Sequence, residues 1–452
     1  MASRSYPNLF ERAAGPFPDG GGDHGAESHT ARVAPLSRRR FLEGAMVLGA
    51  AALGSACLPS PPRPNPGKAP RVHRLPRHID ITGVKDMTAE FLLFARNQMP
   101  PNSIIEIPRG ARIRCEGVLG WIANTPYTRS WHDLTIRAED GSGPNPVFFR
   151  TEAAYDPSYP LLQDPFPQWR FINCENITLE NIDIQGPNHS RSHDLEYTHP
   201  GSGVTYKVAG HHGFALNHVT NFTFNGGRVI ECFGDAFGAG WNSIPEGRQW
   251  CNGIYLSPRA VIGTRRNTMV MHACENVYFQ APLGEDWAYV EDCRRFVIIE
   301  PGGPRAGLVN FWINKVKFGP GNNTFVAHQF GHWDTWVYAN CHSDVPGIRP
   351  QWDVNIHPSN PRRATNMHFV NNTASTNGGA TPAFFRRVDG VHCHGNKLPI
   401  GTNVAAGGRR CAKLTECTPN PPDDVRANDC TSVDGVPDTG QYTNLTPDFA
   451  GV

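Results

Sequence analysis

The feature that most constrains this chain is a nine-residue phrase that keeps returning between Phe171 and Ile299. It reads Phe171-Ile-Asn-Cys-Glu-Asn-Ile-Thr-Leu179, then Leu216-Asn-His-Val-Thr-Asn-Phe-Thr-Phe224, Met271-His-Ala-Cys-Glu-Asn-Val-Tyr-Phe279 and Val290-Glu-Asp-Cys-Arg-Arg-Phe-Val-Ile298. Registering the four puts Asn176, Asn221, Asn276 and Arg295 at one position and Cys174, Cys274 and Cys293 at another. Trp131-His-Asp-Leu-Thr-Ile136 is a weaker earlier copy. Apolar and polar residues alternate within each phrase, which is the period of a strand. A lone strand cannot bury its apolar face, but a strand that recurs can do so by stacking on its copies. The phrases therefore predict an all-β solenoid, a parallel β-helix. Asn and Cys would form ladders in it, with each Asn amide bonded to turn backbone.

The rest of the chain fits around that coil. Asp86 to Met99 reads as one short helix, with Asp86 or Thr88 as cap, an apolar face through Phe91, Leu92, Phe94, Ala95 and Met99, and a stop at Pro100-Pro101. Ahead of a solenoid such a helix plugs the open end of the core. Ile104-Ile-Glu-Ile107 is the first coil strand. Polar insertions are expected at about 186–210 and 238–263, where loops that collect on one face would wall a groove. The β-helix domain is placed at 78–397 and an irregular C-terminal cap or tail at 398–452.

The N-terminal region carries an address rather than a fold. Ser37-Arg38-Arg39-Arg40-Phe41-Leu42, the apolar run Ala45–Leu53 and small residues up to Ala56 make a twin-arginine export signal over 1–57, which implies the twin-arginine translocation machinery as a partner. Cys57 follows Leu53-Gly-Ser-Ala56, close to a lipoprotein processing box, so Cys57 is a candidate lipidation site and the one expected link to a membrane. The Pro-rich stretch 58–77 is a stiff tether. Of the 12 Cys, eleven remain once Cys57 is set aside, so at least one is unpaired. Net charge of +1 with 18% charged residues argues against a nucleic-acid partner, which needs a basic face. No Cys or His spacing has the form of a zinc site, and no cofactor is evident.

Gly83-Val-Lys-Asp-Met-Thr-Ala-Glu90 with its helix, Ile104 to Gly110, His211-His-Gly-Phe214, Gly234-Asp-Ala-Phe237 and Asn276-Val-Tyr-Phe279 resemble segments of the pectate-lyase-like superfamily. The resemblance spans roughly 78–395 and implies a right-handed parallel β-helix with a polysaccharide as its ligand. It does not imply one activity, since that superfamily holds lyases, glycosidases, epimerases and adhesins. No cluster of Asp resembles a pectate lyase calcium site. The polygalacturonase set is also incomplete: Asn181-Ile-Asp183 and Gly210-His-His-Gly213 are present without an Asp-Asp pair between them.

Position supplies the candidate site. His212, Asp235, Arg266 and Asp286 each stand just before a strand, 23, 31 and 20 residues apart, so they are expected at one corner of four neighbouring coils. Two chemistries fit. A uronate lyase needs a base and a cation, here His212 or Lys207 and Arg266, with Asp235 as orienter. An inverting glycosidase needs two carboxyl groups ~6.5–9.5 Å apart, a role for Asp235 and Asp286 two rungs apart. Lys207, His211, Arg259 and Arg265 add a basic surround for an acidic glycan, and Trp241 and Trp250 are candidate sugar platforms. The bland alternative is a structural ion-pair ladder at a turn. At the level of the whole protein, the rival to an enzyme is a non-catalytic glycan-binding surface module.

Overall fold

Nine successive strands of one sheet carry a left-handed residue at the same position, and this repeat turns the phrase into a coil. The column runs Asp133, Asn176, Asn221, Gly253, Asn276, Asn310, Thr335, Asn366 and Gly390, with φ between 55° and 76°. Asn and Asp tolerate that conformation better than other residues with a Cβ, and Gly adopts it freely. At Gly253 there is a second reason for glycine: a Cβ there would lie 2.6 Å from Asn221 Oδ1. The Asn side chains bond to one another along the column rather than to turn backbone as expected. Asn176 Nδ2 donates to Asp133 Oδ1 at 2.8 Å, Asn221 Nδ2 to Asn176 Oδ1 at 2.9 Å and Asn310 Nδ2 to Asn276 Oδ1 at 2.6 Å. Beside Gly253, Asn276 Nδ2 turns to Asn252 Oδ1 at 2.9 Å.

The computed structural model describes residues 69–122, 131–155, 167–207, 210–240, 250–299, 307–319, 325–328, 332–344, 352–356, 362–374, 383–396, 412–415 and 418–419. Among them the chain cycles through three parallel sheets. Sheet A has twelve strands, from Arg71–Arg74 to Thr418–Pro419. Sheet B has ten, from Thr82–Asp86 to Thr373–Ala374, and sheet C has ten, from Leu119–Ile122 to Ala412–Thr415. A single turn of the coil is Thr220–Asn225 in A, Arg228–Ile230 in B and Phe237–Ala239 in C. This is the parallel β-helix that the repeated phrases require.

Inside the coil like stacks on like. Phe214 and Phe237 are paired in sheet C with rings 5.3 Å apart and 6° from parallel, and Trp121 and Trp169 stack at 5.5 Å and 7°. All four are essentially inaccessible to water, and burial of this kind is worth roughly 1.5–3 kcal/mol for a side chain the size of Phe. The first three phrases fall in register as expected, but each spans a corner: Phe171 and Leu216 close sheet C, while Ile177 and Phe222 lie in sheet A. The fourth phrase does not fit. Val290 lies in sheet B and Arg295 opens a strand of sheet C opposite Asn267, so Arg295 is not in the Asn column. Cys293 leaves the Cys column for the same reason, and Cys251 takes that place, paired with Cys274. All seven Cys among those described with a side chain (Cys115, Cys174, Cys232, Cys251, Cys274, Cys293 and Cys341) are buried free thiols.

The ends differ from expectation in detail. The helix is a short α-turn, Thr88–Leu92, that widens into a π-helical turn over Leu93–Gln98. Its Phe91 meets Phe148 at 4.9 Å and Trp169 at 6.3 Å, so it closes the first coils. Asp86 Oδ1 accepts from the Thr88 amide (3.0 Å) and hydroxyl (2.6 Å) at its start. The tether ends sooner than expected, because Arg71–Arg74 already pairs with the strand Ser103–Ile107. Two pieces of the expected tail, Ala412–Thr415 and Thr418–Pro419, continue sheets C and A. The insertion near 186–210 holds an antiparallel hairpin, Glu196–Thr198 with Thr205–Lys207. Most of the second expected insertion is ordinary coil: Cys251–Ser257 and Ala260–Ile262 are strands of A and B, in a copy of the phrase that has Gly253 where Asn was sought. Residues 1–57, with the export signal and Cys57, lie outside the described residues.

Candidate functional site

The corner where sheet B hands over to sheet C is the most polar part of the interior. Arg150, Gln168, His211, His212, Asp235, Thr264, Arg265 and Asn267 are all buried there. The hairpin Glu196–Thr198/Thr205–Lys207 belongs to the same corner, inserted between Asp183–Gln185 of B and Phe214–Asn217 of C. Gly234 lets consecutive turns touch. Its amide donates to His211 O at 2.7 Å, and a Cβ on it would lie 2.6 Å from the His211 carbonyl. That contact sets Asp235 on His212.

Asp235 is completely enclosed and saturated with donors. His212 Nδ1 lies 2.9 Å from Asp235 Oδ2 and Arg266 Nη1 3.3 Å from the same oxygen. Asn267 donates to Oδ1 through its backbone amide at 2.9 Å and its side-chain amide at 2.5 Å. Burial alone would push the Asp235 carboxyl up, but Arg266, His212 and Asn267 together outweigh it and hold the carboxyl below its ordinary range. Burial dominates at His212, which is held below the usual imidazole range despite the carboxylate beside it. The pair is therefore a neutral imidazole on a carboxylate anion. The Asp235 amide donates toward the same Nδ1 at 3.1 Å, while the carboxylate oxygen is nearer at 2.9 Å; the tautomer that satisfies the carboxylate has its proton on Nδ1 and its basic lone pair on the enclosed Nε2. A His oriented in this way by a carboxylate is the arrangement of a general base. Neighbouring His211 is pushed down to about 3, first by burial and then by Arg150 and His212.

Sheet register corrects the expected column. Phe214, Phe237 and Met269 are level in sheet C, so the residues two places earlier are His212, Asp235 and Asn267. The column has Asn267 where Arg266 was placed, although the Arg266 side chain still reaches Asp235. Asn267 carries no charge to mark it in the sequence; the signal that places it is the inward Phe214, Phe237 and Met269 spacing. Asp286 does not join. It precedes Ala288–Glu291 of sheet B, is exposed and stands at the A–B corner; the residue that continues the column one coil beyond Asn267 is Arg295.

The remaining residues scatter. Arg259 is at the A–B corner and pairs with Glu285 at 2.7 Å. Trp250 is half-buried at the start of the sheet A strand Cys251–Ser257, and Trp241 lies outside the described residues. Lys207 is exposed on the hairpin, opposite Glu196. Arg265 is at the B–C corner, only 5% exposed, with its guanidinium 5.6 Å from the Tyr197 ring centre and 5.2 Å from that of Phe233. Desolvation lowers its pKa from the ordinary Arg value.

No family model matches the chain, and no curated protein is similar to it. In structure it is similar to a family 28 exopolygalacturonase of Yersinia enterocolitica, with TM-score 0.37 and 11% identity over 77% of this chain and 78% of that one. A hyperthermoactive exopolygalacturonase from Thermotoga maritima gives 0.35 and 10% over 80% and 90%. The Streptococcus pneumoniae surface protein and adhesin PfbA gives 0.30 and 9% over 80% and 95%. Likenesses this distant carry over neither an activity nor a residue.

Among the described residues no group of three or more His, Cys, Asp or Glu is arranged to hold a metal. The three insertion histidines turn to separate partners: His189 to Glu231 at 2.8 Å, His193 to the Asp292 carbonyl at 2.9 Å and His199 to Ser202 at 3.1 Å. The corner brings together a neutral imidazole, a carboxylate and, at the more exposed edge, the Arg266 cation. Two-carboxylate hydrolysis through Asp235 and Asp286 loses its geometry, since they occupy different corners.

Proposed function

We propose that this chain is an exported β-helix protein that acts on an acidic, uronate-containing polysaccharide at the B–C corner, by β-elimination. The observation that carries this reading is the neutral His212 held by anionic Asp235, with Arg266 3.3 Å from the same carboxylate and only Asp235 as carboxylate in that bonded cluster among the described residues. A lyase takes the proton α to a uronate carboxylate. It needs a base of moderate strength and a cation for the developing charge. His212 Nε2 is the base in this scheme, Asp235 orients it and Arg266 supplies the charge. The C5–H electron pair then forms the C4–C5 double bond as the C4–O bond breaks, and the departing glycosidic oxygen takes a proton from water. Export rests on the twin-arginine motif Ser37–Leu42, and a tether on Cys57.

One observation favours a second reading, a non-catalytic glycan-binding module. His212 and Asp235 are both 0% exposed, as members of a structural ladder would be, and Arg266 is the member of the trio that reaches water. Incubation with uronate polymers separates the readings. Ultraviolet absorbance from an unsaturated product, lost in His212→Ala and Arg266→Ala, supports the lyase. New reducing ends without that absorbance mean hydrolysis. Binding without either, unchanged in both variants, leaves the module.

A further inference from the structure

Arg265 presents a charge that the fold has enclosed without neutralising. Its Nε and Nη1 are shut off from water and have no hydrogen-bond partner, and among the described residues no carboxylate lies within ion-pair distance. The carboxylates that influence it, Asp194 and Glu152, do so only at longer range. Buried cations are normally paired, because an unpaired one forfeits hydration for nothing. Two aromatic rings hold the guanidinium instead: Tyr197 from the hairpin and Phe233 from the coil, themselves 4.5 Å apart. Cation–π contact is worth about 0.5–2 kcal/mol, less than a desolvated guanidinium loses. Contrast Arg228, which faces solvent and nevertheless has Asp183 as a close partner through two nitrogens. Arg265 is adjacent in sequence to Arg266, whose side chain turns the other way to Asp235.

We propose that Arg265, packed against the touching rings of Tyr197 and Phe233, is the receptor for a carboxylate of the bound glycan, so that the insertion hairpin and the coil together decide for acidic over neutral sugar. The inference rests on the polysaccharide reading above and adds the group that makes it selective. A guanidinium pairs strongly with a carboxylate, and packing on the two rings holds it in place before the ligand arrives, which cuts the ordering cost of binding. Asp194, exposed on the approach to the hairpin, disfavours a second negative charge close by, so one carboxylate per sugar fits better than a sulfate-dense chain.

The test uses the full chain and three probes: trisaccharides of galacturonate, glucuronate and mannuronate, each as free acid and as methyl ester, followed by calorimetry. The wild type is expected to bind at least one free acid about tenfold or more tighter than its ester. Arg265→Met keeps an unbranched apolar side chain against the two rings but carries no charge. It is expected to keep the hairpin contact, seen as unchanged near-ultraviolet ellipticity, while losing the preference for the acid. Arg265→Lys is expected to retain part of it. A Met variant that still prefers the acid overturns the proposal and makes Arg265 a hairpin clamp. Should the wild type bind esters and acids equally, the proposal fails while the polysaccharide reading stands. If no glycan in a panel of acidic and neutral polymers binds or is cut, both fall.

Discussion

Asp235 lies one coil beyond His212 and level with it, its carboxylate 2.9 Å from the imidazole Nδ1 and both side chains wholly enclosed. Twenty-three residues of chain separate them, so the contact exists only because the coil closes in register. Breaking it leaves buried donors from His212, Arg266 and Asn267 facing an amide. Asp235→Asn is expected to lower stability by about 3–5 kcal/mol, the usual cost of removing one partner of a buried pair. Arg266→Gln, at the wetter edge, should cost less than half as much. Denaturant melts of the two variants check the order, and equal losses would mean that Arg266 is no outer member of the cluster.

Acid should weaken the fold before ordinary carboxylates titrate. His211 is held down to about 3, against about 6.5 for an unfolded chain. Between those values the unfolded chain takes up a proton that the native imidazole refuses. Stability therefore falls as pH drops from about 6.5 toward 3, at up to roughly 1.4 kcal/mol per pH unit for this one group. His212, also depressed, adds to the loss over the same region below its unfolded value. Asp235, depressed as well, contributes stability that is present above about 4 and lost below it. Urea midpoints from pH 7 to 4 are expected to slope accordingly, and His211→Gln should flatten the upper part of the curve.

The Asn column can be dissected at Asn276, which donates to Asn252 and accepts from Asn310. Asn276→Gly keeps the left-handed backbone and loses the ladder, at an expected cost of about 1–2 kcal/mol. Asn276→Ala loses both and should cost about 1 kcal/mol more. Equal melting temperatures for Gly and Ala would show that the ladder, not the backbone, selects Asn here.

Thr335 is the exception in the same column, a β-branched residue at φ 56°. Such a conformation costs of order 1 kcal/mol or more for a branched side chain. Thr335→Asn is expected to raise stability by about 1 kcal/mol, read as a rise in melting temperature. A fall would mean that the Thr hydroxyl is held by something the change removes.

The coil was legible because its signal is periodic. Asn176, Asn221 and Asn276 announced a shared place in the coil, and alternation on either side announced a strand; their common left-handed backbone was not signalled. The fourth phrase misled because Cys-Arg-Arg-Phe at 293–296 imitates Cys-Glu-Asn-Val at 274–277, yet lies at a different corner; letters repeated where geometry did not. Gly253 hid a whole turn, since glycine fills the left-handed slot without resembling Asn. For the site, spacing brought His212 near Asp235, but Arg266 was one place out and Asp286 a corner away. Inward Phe214, Phe237 and Met269 set the true register, and that information is apolar. In the sequence Arg265 is one basic residue among several around the groove, because nothing there signals that Tyr197, 68 positions earlier on a hairpin, packs on it.

The seven buried thiols have one more implication. None of them is cross-linked, and each fills core space as a small apolar group would, several donating to a carbonyl of the coil. The packing around these seven side chains thus owes nothing to an oxidant, and a reducing compartment suits it as well as any. Reagents that cleave disulfides should therefore leave the packing around these seven side chains standing.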